Sequence, residues 1–174
     1  MSNPKVYLET SFFRYLVADL SRKDALKRAR QKLTKNWWSE SRHKYELCVS
    51  NTVFIEFCEM AAGKISAQEA SDRLALLQQA ELLPVESAIM ELAASLVHPQ
   101  GPLPLKAELD ALHWAVAARY GCEFVLTWNF KHLNNASIKR RAERIIRDYG
   151  YEPPTLCSIE ELEGIGDGLG GSHA

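Results

Sequence analysis

Asp110-Ala111-Leu112-His113-Trp114-Ala115-Val116-Ala117-Ala118, followed by Phe124-Val125-Leu126-Thr127, decides the fold. The first run has helical spacing and hardly any polar face, and the second is a short apolar run of the kind found in buried strands. A helix apolar on nearly every side leading into such a strand implies a mainly parallel sheet with helices on both faces. The same alternation extends outward in both directions. Strands are predicted at 6–8, 46–49, 82–85 and 124–127, with a short fifth at 155–157. Helices are predicted at 11–19, 24–41, 52–62, 67–79, 87–97, 105–120 and 137–149. Ser66 with Glu69 and Ser158 with Glu161 have capping-box spacing, while Gly63, Gly121 and Gly150 sit where helices end.

With 174 residues the chain is long enough for one domain with a proper core and too short for two ordinary ones. Its 47% apolar and 25% charged content suits a globular protein, and no apolar run approaches the roughly 18 residues that a membrane span requires. Met1 to Lys5 leads straight into a strand with no secretory signal, and Cys48, Cys58, Cys122 and Cys157 are scattered in mostly apolar surroundings. Both features predict a cytoplasmic protein with reduced core thiols and no membrane contact. The domain is expected to span 1–160, with 161–174 a flexible glycine-rich tail. Gly166, Gly168 and Gly171 match the spacing of a dinucleotide-binding loop, yet no strand precedes them.

Net charge is −1, which argues against indiscriminate nucleic-acid binding, but the basic residues cluster. Arg22, Lys23, Lys27, Arg28, Arg30, Lys32 and Lys35 lie in or beside one predicted helix, and Lys139, Arg140, Arg141, Arg144 and Arg147 in another. Solvated faces of amphipathic helices would look the same, while a carboxylate site nearby would favour a phosphate backbone.

Such a site is suggested by Glu9, Glu56, Asp110 and Asn129, each of which interrupts or ends an apolar stretch at or just beyond a predicted strand end. Ligands of parallel sheets bind beyond the carboxyl ends of the strands. Three carboxylates and an amide there would suit magnesium or manganese, hard cations that bind oxygen and activate water for attack on phosphorus. Each residue also has a plainer reading. Glu9 could answer turn amides, Glu56 could pair with Arg14, Asp110 could favour the positive end of its helix, and Asn129 could be a turn residue. His113, one turn beyond Asp110, reads as a general acid or base or as a histidine lining a helix interface. Trp37 and Trp38 read as a pair split between core and surface, or as a platform for RNA bases.

Together, Val6-Tyr7-Leu8-Glu9-Thr10-Ser11, Val49-Ser50 with Glu56, Lys106 with Asp110-Ala111-Leu112-His113, and Leu126-Thr127-Trp128-Asn129-Phe130-Lys131-His132 resemble the PIN-domain ribonucleases. More narrowly, the chain is similar to the small bacterial stand-alone PIN proteins related to VapC-type toxins. The resemblance covers nearly everything up to Cys157 and implies an α/β, PIN-like three-layer sandwich with four to five central strands flanked by helices. It places Glu9, Glu56 and Asp110 at catalytic, metal-binding positions and Asn129 at the fourth metal position, with magnesium or manganese as cofactor. Thr10, Ser11, Arg14, Arg140, Arg141 and Arg144 are the residues expected to hold substrate. The implied activity is hydrolysis of RNA, as the toxin of a toxin–antitoxin pair, with an antitoxin protein and a second copy of the chain as candidate partners. Family members most often carry aspartate where this chain has Glu9, and often a second acidic residue where it has His132. These departures imply weakened activity or a preference for manganese. The alternatives are a PIN protein that binds RNA or a partner without cleaving, and a metal-dependent phosphatase for a small substrate.

Overall fold

The computed structural model describes residues 3–18, 24–58, 63–129 and 135–170, the last five of these by their backbone. Five strands form one sheet in the order β3-β2-β1-β4-β5: β1 Lys5–Leu8, β2 Glu46–Ser50, β3 Glu81–Leu83, β4 Phe124–Leu126 and β5 Thr155–Cys157. Every pairing is parallel, with Tyr7 opposite both Cys48 and Val125. The sheet is therefore wholly parallel, and all five predicted strands are present. Eight α-helices accompany them among the described residues: α1 Thr10–Val17, α2 Ala25–Glu40, α3 Asn51–Phe57, α4 Ala67–Leu77, α5 Ser87–Leu96, α6 Glu108–Arg119, α7 Ala136–Asp148 and α8 Ile159–Gly170.

Burial explains why α6 has no polar face. His113, Trp114, Ala115, Val116, Ala117 and Ala118 are all buried, because α6 is held between α5 and the other elements around it. A three-residue 3₁₀ turn, Leu105–Ala107, precedes it, so the predicted 105–120 helix is a tight turn followed by α6. Gly121 and Gly150 both have positive φ just after α6 and α7, where a side chain would be strained. Cys48, Cys122 and Cys157 are buried and form no disulfide. Among the described residues no helix is long and apolar enough to cross a membrane.

The sequence expected a flexible tail from residue 161. The chain instead continues as α8 to Gly170. Ser158 and Glu161 exchange capping hydrogen bonds at its start, and Leu162 is buried against the core while Ser41 donates to Glu163. A cap and the buried Ile159 and Leu162 thus overcome the weak helix propensity of Gly164 and the glycines after it. Residues 171–174, like Asp19, Arg22, Lys23 and the predicted helix end at 59–62, lie outside the described residues.

Candidate functional site

The chain leaves β1 for β2 and β3 on one side, then returns to place β4 and β5 on the other. The crossover direction reverses between β1 and β4, and such a switch point leaves a crevice beyond the strand ends. Glu9 follows β1 at this point, its amide donating to Leu126 O of β4 at 3.2 Å. It is the N-cap of α1, where its Oε2 accepts from Ser11 N at 3.0 Å.

Two hydroxyls tie Glu9 to the exit of β4. Trp128 N donates to Ser11 Oγ at 2.8 Å, and that hydroxyl donates to Glu9 Oε2. Asn129 N donates to Thr127 Oγ1 at 2.9 Å, and that hydroxyl donates to the same oxygen at 2.9 Å. Two backbone amides at the end of β4 thereby fix the first carboxylate through one side chain each. Glu9 Oε1 makes no hydrogen bond among the described residues, although the side chain is only 10% exposed.

Glu56, on α3, comes to the same place from the other side of β1. Its Oε2 accepts from Thr10 Oγ1 at 2.5 Å and lies 2.8 Å from His113 Nε2. Burial pulls its pKa upward, but the hydrogen bond and charge of His113, the Thr10 hydroxyl and the nearby charge of Arg14 together hold it below the ordinary value. Glu56 is therefore ionised at neutral pH. His113 Nδ1 lies 2.7 Å from the Tyr7 hydroxyl, which lies 2.7 Å from Ser50 Oγ. Burial, only partly offset by the Ser50 bond, raises the Tyr7 pKa well above its usual value, with Glu9 and Glu56 adding to the rise, so the phenol keeps its proton.

Asp110 stands in the first turn of α6, where Asn129 Nδ2 donates to its Oδ1 at 3.1 Å. Glu9, Asp110, His113, Thr127 and Asn129 line one small pocket. The tightest cluster, however, is Glu9, Glu56 and His113, whose ligand-type atoms all lie within 4.8 Å of one another. Glu9 thus stands with Glu56 and His113 in one cluster and with Asp110 and Asn129 in one small pocket, and His113 belongs to both groups.

The remaining candidates divide. Thr10 and Ser11, expected to hold substrate, give their hydroxyls to Glu56 and Glu9, because the first turn of α1 runs directly between the two carboxylates. Arg14 is exposed and acts on Glu56 through charge, with His113 and not Arg14 as the carboxylate's close partner. Arg140, Arg141 and Arg144 are exposed on α7. Phe130, Lys131 and His132 lie outside the described residues. Trp37 is buried against Phe12 and Tyr45, whereas Trp38 is half-buried under Arg42. Tyr7, Ser50 and Thr127 were not anticipated. Their only signal was position, a hydroxyl at or beside the end of each of three strands.

The family model described as the PIN domain matches residues 6–149, well over half of the chain. The chain belongs to the PIN domain family. Among solved structures, this PIN domain is similar to VapC20 of Mycobacterium tuberculosis, described as a Sarcin-Ricin loop cleaving toxin, with a TM-score of 0.55 and 18% identity over 74% of this chain and 92% of that one. It is also similar to FitAcB of Neisseria gonorrhoeae, with a TM-score of 0.56 and 10% identity over 88% of this chain and 97% of the other. FitAB bound to the IR36 DNA fragment gives a TM-score of 0.55 and 11% identity, covering 88% and 94% respectively. At such identities the likeness is one of fold. Comparison with curated proteins finds no match.

Proposed function

We propose that this PIN domain is a divalent-cation-dependent ribonuclease acting as the toxin of a toxin–antitoxin pair. The observation that carries the reading is the convergence of Glu9, Glu56 and Asp110, from α1's N-cap, α3 and α6, at the switch point of a parallel sheet. The donor set fits the cation the family implies. Glu9, Glu56 and Asp110 would hold magnesium or manganese, with Asn129 beside them, because carboxylate and amide oxygens are the donors such hard ions take. When bound, the ion supplies an activated water and neutralises charge on the phosphate.

The chain's own groups orient this set. Ser11 and Thr127 hold Glu9, Thr10 and His113 hold Glu56, and Asn129 holds Asp110. Fixed ligands of this kind need little rearrangement when an ion arrives. For the substrate, exposed Arg140, Arg141 and Arg144 on α7 and Arg28, Lys32 and Lys35 on α2 offer the positive surface that a phosphate backbone seeks. A cleft of about 520 Å³ beside α5 and α6, with exposed Met90, Leu105 and Leu109, is the kind of apolar surface that a protein partner covers. The antitoxin and a second copy of the chain are the partners proposed.

Purified protein should cleave RNA with magnesium or manganese present and stop when both are chelated. Cleavage that survives thorough chelation would rule the mechanism out. One observation favours a second reading, a PIN protein that binds RNA or a partner without cleaving: His113 satisfies Glu56 with no ion needed. Metal-independent RNA binding with no cleavage would support it.

A further inference from the structure

His113 is 2% exposed and lies inside the carboxylate cluster, 2.8 Å from Glu56 Oε2 and 3.8 Å from Glu9 Oε1 by its Nε2. Opposite ligand oxygens around one magnesium-sized ion stand roughly 4.2 Å apart. His113 Nε2 lies within that span of both carboxylates, and the ligand-type atoms of Glu9, Glu56 and His113 all lie within 4.8 Å of one another, so small side-chain adjustments would bring all three onto one ion.

The buried side of the ring is built to permit this. Tyr7 and Ser50 both carry hydroxyls, which donate and accept. With the proton on Nε2, His113 donates to Glu56 while Tyr7 donates to Nδ1 and Ser50 donates to Tyr7. With the proton on Nδ1, His113 donates to Tyr7, Tyr7 donates to Ser50, and the Nε2 lone pair faces the carboxylates. Neither tautomer leaves the Tyr7 hydroxyl or Nδ1 unpaired, so the second arrangement carries no buried-polar penalty on that side. A phenylalanine at position 7 would offer neither bond.

We infer that His113 is a nitrogen ligand of the cation site, and that Glu9, Glu56 and His113 form a mixed oxygen and nitrogen set that selects a first-row transition ion such as manganese over magnesium. The inference rests on the cation-dependent reading above. Magnesium is bound through carboxylates and waters and takes imidazole poorly, whereas transition ions accept both donors. Tyr7 and Ser50 are positioning residues, which hold the ring and its Nδ1 proton as outer partners of metal-bound histidines do.

The test uses the full chain stripped of metal by chelation. It is titrated calorimetrically with manganese and, separately, with magnesium, and the manganese-loaded protein is examined by pulsed electron paramagnetic resonance for ¹⁴N coupling. Manganese should bind at least about tenfold more tightly than magnesium, with a nitrogen coupling that disappears in His113→Gln, a variant that should also lose about tenfold or more in manganese affinity. If His113→Gln does not fold, His132→Ala serves in its place, and the coupling should persist there. Manganese bound without nitrogen coupling would leave an all-oxygen cation site standing and overturn the inference alone. Coupling that survives in His113→Gln, or vanishes in His132→Ala, would do the same. Failure of both ions to bind would remove the cation-dependent reading itself.

Discussion

His113 Nε2 and Glu56 Oε2 stand 2.8 Å apart, joining a buried ring on α6 to a carboxylate on α3 across the ends of the strands. Because Glu56 is held below the ordinary carboxylate pKa, the ring must be the donor in the metal-free protein. This bond makes stability depend on pH in a definite direction. A depressed carboxyl pKa contributes stability that is complete above the unfolded value of about 4.3 and is lost as pH falls through the folded value. Glu56→Gln removes the titrating group. In chelated protein its melting temperature should differ most from the original above about pH 5, and the two curves should approach each other below about pH 4. A constant gap across that range would mean that Glu56 is not depressed.

Asp110→Asn should leave the fold nearly intact while lowering RNA cleavage on the order of 100-fold or more. The substituted amide keeps an oxygen at the position that accepts from Asn129 Nδ2, so the link between α6 and the exit of β4 can survive. What disappears is the charge. Initial rates beside thermal melts check this, and a strongly lowered melting temperature with cleavage retained would make Asp110 structural.

Tyr7→Phe separates the two hydroxyl bonds from the bulk of the ring. Tyr7 and Ser50 are both 0% exposed and His113 only 2%, so removing the phenol oxygen leaves the Ser50 hydroxyl and His113 Nδ1 each short of a hydrogen-bond partner in the core. A loss of about 1–3 kcal/mol in unfolding free energy is expected. Urea denaturation of the chelated protein measures it. An unchanged midpoint would show that the relay contributes nothing to stability.

The strands were legible in the sequence because each is a short apolar run closed by a turn or a cap, and β1, β2, β4 and β5 fall within one residue of their predicted limits and β3 within two. The meeting of Glu9, Glu56, Asp110 and Asn129 was legible because a polar group that breaks an apolar run at a strand end has few other places to go. His113 was not, since a histidine on an apolar helix reads equally as packing. Only the third dimension shows that its ring is aimed between two carboxylates from other elements. The length of α8 was hidden by its glycines, whose intrinsic preference is outweighed by the Ser158 cap and by Leu162.

Replacing Arg140, Arg141 and Arg144 together by alanine should weaken RNA binding and flatten its salt dependence, leaving manganese affinity unchanged. All three are exposed, so the substitutions cost little structure. Each phosphate that is no longer neutralised should reduce the log–log salt slope by about 0.7 on single strands. An identical slope in the triple variant would make the α7 charges a solvated face and direct attention to α2.

Glu9→Asp tests the departure from the more common residue of the family. Read from sequence alone, the extra methylene displaces the first ligand, and shortening it should favour magnesium. The structure reverses that expectation, because the length of Glu9 is what brings Oε2 to Ser11 N at 3.0 Å and to Thr127 Oγ1 at 2.9 Å, with the Ser11 hydroxyl as a third donor. Withdrawing the carboxylate by about 1.5 Å would carry these bonds beyond the roughly 3.2 Å range of good hydrogen bonds unless β1 and β4 shift. Thr127 is 4% exposed, and its hydroxyl would lose its acceptor in a place where water has little access. The cost should be about 1–3 kcal/mol, seen as a melting temperature lower by several degrees. Cation-supported cleavage should fall with both magnesium and manganese, since the oxygen facing His113 retreats together with its neighbour. Faster magnesium-supported cleavage at an unchanged melting temperature would show instead that the hydroxyl cradle follows the shorter side chain, and that the site is held open by the longer one.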